Sequence, residues 1–196
     1  MRSGSHLVKY LLEQYYKAEW HPMPLPEEID LDKINADTSK AGGYVLSTHY
    51  EYFQDFTISD LFKFNRIVED RNIHVVYLDR KDINEQAMSR ALACMCNWDF
   101  KTQDFSSKLY IEKSLLEKEY ASIAYTRNNF SIDKMPITIH QEIYYEDILK
   151  NGLTINNEKI PWIDGVEKNP SKKDTIENYD SVIKWLAEFS EKYKRT

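Results

Sequence analysis

The chain has 196 residues, of which 42% are hydrophobic, 13% aromatic and 30% charged. That is enough for a buried core, while 5 glycines exclude collagen and Gly-rich low complexity. Its 26 Lys and Arg against 32 Asp and Glu leave a formal charge of −6, a poor balance for general nucleic-acid binding, which needs many phosphates neutralised at once, though it leaves room for a local basic pocket for a small anion. No apolar run approaches the roughly 20 residues that cross a bilayer, and MRSGSH at 1–6 has no signal-peptide core. Cys94 and Cys96 are too few for a disulfide framework, so a reducing, cytoplasmic setting is expected.

Leu7, Tyr10, Leu11, Tyr15 and Ala18 recur at helical spacing and predict a helix over 7–19. Pro22, Pro24, Pro26 and the Gly42-Gly43 pair break any period over 20–43, which reads as a loop with at most short helices. YVLST at 44–48 is a short β-leaning run. Ile58, Leu61, Phe62, Ile67 and Val68 mark one side of a helix over 58–71. IHVVYL at 73–78 is continuously apolar, as in a buried parallel strand. Helices follow over 82–97 and 105–127, then a β-leaning ITIHQEIYY at 137–145 and an amphipathic helix over 178–194. This order predicts one α/β domain over 1–196. Its mostly parallel sheet has helices on both faces, and 44–48, 73–78 and 139–145 are neighbouring strands.

Four segments carry chemistry. Arg2-Ser3-Gly4-Ser5-His6 runs straight into a helix. Gly permits close backbone approach, Ser can cap the helix, and helix N-terminal N–H groups together with an Arg fork suit an anion. The same residues also resemble an expression-tag remnant. No G-x-x-x-x-G-K-[ST] loop is present. Ser47-Thr48-His49 closes a strand, where ligands collect in open α/β sheets, and a His there can accept a proton. Arg80 closes the next strand, with Ser89 about two turns into the following helix. Together they can hold a phosphate, though an Arg80 pair with Asp79 or Asp82 is the ordinary reading. Tyr144-Tyr145-Glu146-Asp147 turns a third strand into a helix, with Glu146 or Asp147 expected to complement the helix dipole.

In this order RSGSH (2–6), STH (47–49), YLDRKDINEQAMS (77–89) and YYEDIL (144–149) resemble one family. It is that of the sulfotransferases using 3′-phosphoadenosine 5′-phosphosulfate (PAPS). Gln86-Ala87-Met88-Ser89 is most similar to the bacterial trehalose and nodulation-factor branch. The resemblance extends over nearly the whole chain, with 172–186 similar to the family's closing basic segment and helix. It implies a P-loop-NTPase-like three-layer domain. It also implies transfer of a sulfuryl group from PAPS to a hydroxyl or amine of a small-molecule or carbohydrate acceptor, giving PAP. Neither a metal nor nucleic acid is implied.

By the same resemblance the backbone of Ser3, Gly4, Ser5 and His6 cradles the 5′-phosphosulfate, and Arg2 meets charge developing on the leaving phosphate. His49 is the general base. Arg80 and Ser89 grip the 3′-phosphate, with Lys172 and Lys173 as weaker candidates, and Tyr145 contacts adenine. Glu19, Glu27 and Glu28 are alternative bases, because the trehalose-type branch uses a Glu after its first helix. The acceptor is expected between 20–43 and the aromatic stretch YEYFQDF at 50–56. Two departures stand out: Ser47 replaces a Lys, and the family's first strand is expected before Arg2, where only Met1 stands. Those departures keep open a relative that binds PAP without turnover. A small kinase is a third class, disfavoured by the missing Lys loop.

Overall fold

A computed structural model describes residues 5–16, 19–22, 44–47, 57–96, 108–129, 137–162 and 171–194. These residues sort into two compact units. The first holds the described strands: helix α1 (Ser5–Tyr16), strands β1 (Glu19–Pro22) and β2 (Tyr44–Ser47), helix α2 (Ile58–Asp70), and strand β3 (Val76–Asp79). After a long excursion of the chain it adds β4 (Gln141–Tyr144), helix α5 (Tyr145–Asn151), and the hairpin of β5 (Leu153–Ile155) and β6 (Glu158–Ile160). The second unit holds helices α3 (Ile83–Met95), α4 (Lys113–Asn129), α6 (Lys172–Thr175) and α7 (Tyr179–Lys192).

Local sequence explains most boundaries. Thr57 opens α2 with a reciprocal capping box. Its Oγ1 accepts the Asp60 N–H at 3.2 Å, and Asp60 Oδ2 accepts the Thr57 N–H at 3.0 Å. The Thr57 hydrogen bonds hold the Asp60 carboxyl below its usual range. Asp82 caps α3, its Oδ1 accepting the N–H groups of Asn84 and Glu85 at 2.8 and 3.1 Å. Asn156 and Asn157, both at positive φ (49° and 66°), give β5–β6 the primed two-residue turn that suits strand twist.

In the first unit β3 and β4 pair in parallel, with Val76 opposite Gln141 and Asp79 opposite Tyr144. In sequence α3 and α4 lie between these two strands, as a parallel connection requires. Leu11, Ile143, Ile148, Leu153, Ile155 and Ile160 form this unit's core, with Leu7, Val8, Val76 and Leu78 packed against it. Among the described residues the second unit is mostly helix-on-helix packing, with the extended segment around Leu109–Ile111 bridged to Ile176. Met88, Leu92, Ile111, Leu116, Ile123, Ile176, Val182, Leu186 and Phe189 make one apolar cluster there. The result is a mixed helix-and-strand fold with parallel strand pairs, an α/β arrangement. No helix among the described residues is long and apolar enough to cross a membrane.

Several expectations need correction. Residues 44–48 are expected beside 73–78 and 139–145. Among the described residues, β2 instead pairs in parallel with β1 and forms no ladder with β3 or β4. Glu19–Pro22 is therefore a strand where the patterns of 7–19 and 20–43 predict a helix end and a loop. Its four residues, EWHP, are too few for alternation to register and include no β-branched residue to announce it. The helix expected over 105–127 begins only at Lys113. Leu109 instead forms a parallel bridge with Ile176, and the Asn178 amide satisfies both backbone groups of Ile111 at 3.0 and 2.8 Å. Side-chain capture of a backbone by Asn is a tertiary event that helical periodicity cannot register. The strand expected over 137–145 is shorter, since Tyr145 already belongs to α5.

Candidate functional site

The register of β3 and β4 builds the site. Asp79 stands opposite Tyr144, so the chain leaves both strands side by side, Arg80 after one and Tyr145 after the other. Arg80 Cζ lies 4.3 Å from the centroid of the Tyr145 ring, a cation–π stack. Arg80 is 8% exposed, so this charge is held largely out of water beside a half-buried phenol. Arginine suits that position because its planar fork can lie on a ring and still present N–H groups in its plane.

Lys81 continues the contact between the two strand ends. Its backbone N–H donates to Glu146 Oε2 at 2.9 Å, and its Nζ pairs with Asp147 Oδ1 at 2.7 Å. Nζ also stands 5.1 Å from the Tyr144 ring centroid. The Lys81–Asp147 pair is about half exposed and so contributes little to stability. Sequence patterns assign Glu146 and Asp147 only to the helix dipole. Both in fact reach across to the residues that follow β3. The available signal is an acidic pair directly after Tyr145, but nothing in the sequence says which backbone N–H such a pair will meet.

The structure therefore brings Arg80 and Tyr145 together. Ser89 belongs to the helical unit, in α3, where it is buried. Gln86, on the same helix, is fully buried and its Oε1 accepts from Arg127 Nη2 at 2.9 Å. Lys172 and Lys173 make up the first half of the four-residue α6, capped by Ser171. Lys172 is half-buried there and Lys173 is exposed, its carbonyl accepting from Lys108 Nζ at 3.3 Å. Ser5 and His6 are the first two residues of α1. Ser47 ends β2 and Glu19 begins β1. Arg2, Ser3, Gly4 and His49 lie outside the described residues, as do Glu27, Glu28 and the aromatic stretch 50–56. Among the described residues no group of three or more His, Cys, Asp or Glu side chains is placed to hold a metal ion.

The Arg80–Tyr145 pair can do two things chemically. A guanidinium held in a low-dielectric setting attracts a phosphate or carboxylate strongly. A phenol beside it can take the face of a planar base. Such a pair, beyond the carboxyl ends of parallel strands, lies where α/β sheets gather ligands. The chain matches no protein-family model, no curated protein and no solved structure, so these residues themselves carry the functional reading.

Proposed function

We propose that the chain is a PAPS-dependent sulfotransferase acting on a hydroxyl or amine of a small-molecule or carbohydrate acceptor. The observation that carries this reading is the Arg80 guanidinium stacked 4.3 Å above the Tyr145 ring where β3 and β4 end. The pair fits a 3′-phosphorylated adenosine in kind, with a fixed cation for the phosphate and a phenol for the base. The ordered RSGSH, STH, R…S and YYEDIL segments support the same reading. With it go a P-loop-like three-layer sheet with helices on both faces and a cytoplasmic setting, to which the free thiols of Cys94 and Cys96 are suited.

PAPS supplies the sulfuryl group. The residues divide the remaining work. His49 takes the acceptor's proton as the acceptor atom bonds to sulfur. Arg2 and the backbone of Ser3, Gly4, Ser5 and His6 meet the electron pair that the breaking sulfur–oxygen bond leaves on phosphate. Arg80, Ser89 and, more weakly, Lys172 and Lys173 hold the 3′-phosphate, and Tyr145 holds adenine. A second reading, PAP binding without turnover, is favoured by Ser47, since that serine ends β2 where the family carries a cation.

Titration with PAP by calorimetry tests the proposal. The native chain should bind PAP in preference to ATP. Arg80→Ala should weaken PAP by about 10- to 150-fold, the equivalent of a charge-assisted contact of roughly 1.5–3 kcal/mol. Unchanged PAP affinity in that variant would overturn the assignment. PAP binding with no sulfuryl transfer to any hydroxyl acceptor would select the second reading.

A further inference from the structure

We propose that Glu146 is a positioning residue that seats Arg80 on Tyr145, an inference that gives the sulfonucleotide reading its second layer and rests on it for the ligand. The backbone comes first. Beyond the end of β3 the Lys81 N–H finds its acceptor outside the strand ladder, in Glu146 Oε2 at 2.9 Å. Glu146 is the chain neighbour of Tyr145, and Lys81 is the chain neighbour of Arg80. The stack and the hydrogen bond therefore close one small ring of contacts. It runs from the Arg80 guanidinium to the Tyr145 phenol, along the chain to Glu146, across to the Lys81 N–H, and back to Arg80. Fixing one side of that ring fixes the other.

The geometry separates Glu146 from its neighbour Asp147. Asp147 meets the far end of the Lys81 side chain, at a half-exposed pair. Glu146 meets the main chain itself, and a main-chain N–H one residue from Arg80 has almost no freedom to move without carrying Arg80 with it. The charge on Glu146 is secondary. An oxygen acceptor of the right reach is what the Lys81 N–H requires, and glutamine offers one. A carboxylate beside a phosphate-binding cation is in fact electrostatically unfavourable for an anionic ligand.

The experiment compares Glu146→Ala, Glu146→Gln and Lys81→Ala in the full chain. Two NMR observables are read without ligand: exchange of the Lys81 amide, and the ring-current displacement of the Arg80 side-chain protons by Tyr145. PAP affinity is then measured by calorimetry. Glu146→Ala should speed exchange of the Lys81 amide, move the Arg80 protons toward unshifted values and weaken PAP by roughly 10-fold or more. Glu146→Gln should keep both NMR signatures and bind PAP at least as well as the native chain. Lys81→Ala, which keeps the N–H and removes the side chain with its Asp147 pair and its contact with the Tyr144 ring, should keep the Arg80 displacement.

If Glu146 served only the helix dipole, Ala and Gln would behave alike, and that result would overturn the proposal. Should Glu146→Ala fail to fold, a Glu146→Gln variant that lost the Arg80 displacement would overturn it as well. Native chain that ignores PAP while the Ala–Gln difference persists in the NMR signals would sink the sulfonucleotide reading and leave the positioning role standing. PAP binding with no Ala–Gln difference would do the reverse.

Discussion

Arg90 Nε and Glu119 Oε2 meet at 2.6 Å with side chains only 17% and 7% exposed, so α3 and α4 share a buried ion pair. Removing one member strands the other in a low-dielectric setting. Glu119→Ala should therefore cost on the order of 3 kcal/mol, read as a lower urea midpoint. A loss below about 0.5 kcal/mol would show that water reaches Arg90. Cys94 offers a second readout of the same spot. Burial, and then the neighbouring Glu119 carboxylate, push its thiol above the usual cysteine range. Cys94 should accordingly react slowly with thiol reagents at neutral pH, and faster in Glu119→Ala. His49 makes a different prediction at this scale. His49→Ala should lower sulfuryl transfer by something like 10²–10⁴-fold while sparing PAP binding. If turnover survived in that variant and Glu19→Ala, Glu27→Ala or Glu28→Ala abolished it, the base would pass to that carboxylate. Side chains at strand ends are partly legible in the amino-acid sequence: the apolar run IHVVYL, expected as a buried strand over 73–78, is in the structure a half-buried strand over Val76–Asp79, so its end is read to within one residue. Arg80 and Tyr145 stand out for that reason. Glu146 is equally visible, but its sequence context points only to the helix dipole, since its partner lies 65 residues away along the chain.

Among the elements, α1 and the β5–β6 hairpin are joined by one carboxylate. The hydroxyls of Tyr15 and Tyr16 both donate to Glu158, at 2.6 and 2.8 Å, and the two rings meet edge to face. Those hydrogen bonds hold the Glu158 carboxyl below its usual range. Burial and the same carboxylate push the Tyr16 hydroxyl up to about 12. The signs then follow. A depressed carboxyl contributes stability above its unfolded value near 4.5, and that contribution is lost as pH falls through the lower folded value. A raised phenol contributes below its unfolded value of 10.0, and that is lost as pH rises toward 12. Glu158→Gln should flatten both flanks of the pH–stability profile of the hairpin, followed by amide exchange at 153–160. An unchanged acid flank would show that the clamp does not hold in solution. Sequence patterns do not reveal this clamp. The hairpin strands are three residues each, too short for alternation to register. The asparagine pair is the available cue, because only residues tolerant of positive φ suit that turn. Helices are more legible: α2, α3 and α7 fall within two residues of their expected ends, because each has a cap or a sustained apolar stripe.

Across the whole molecule, the two cores differ in how they are written into the sequence. The helical unit draws Met88, Leu92, Leu116, Ile123, Val182 and Leu186 from three long helices, at spacings a reader can recover from 3.6-residue periodicity. The strand-bearing unit draws one or two buried residues from each of several short elements, Ile143 from β4, Ile148 from α5, Leu153 and Ile155 from β5 and Ile160 from β6, packed with Leu11 of the longer α1. Helical spacing marks only what its helices contribute, such as Leu7, Leu11 and Tyr15 of α1, while strands of three or four residues are too short to show a period, which is why periodicity finds the helices and misplaces strand partners. The two cores make matched tests. Leu116 and Leu153 are each 0% exposed. Truncation to alanine removes apolar contact and leaves a cavity, so each should cost about 2–5 kcal/mol. The loss should appear in its own unit: Leu116→Ala as faster amide exchange in α4 and α7, and Leu153→Ala as faster exchange in β4, α5 and the hairpin. The second variant bears on function as well. Leu153 packs with Ile143 and Ile148, the buried residues of the strand and helix that flank Tyr145. Leu153→Ala should thus weaken PAP along with stability, whereas Glu146→Ala should weaken PAP with little change in the exchange of β4. Leu153→Ala that left both amide exchange at 141–151 and PAP affinity unchanged would show that this core does not support the Arg80–Tyr145 stack.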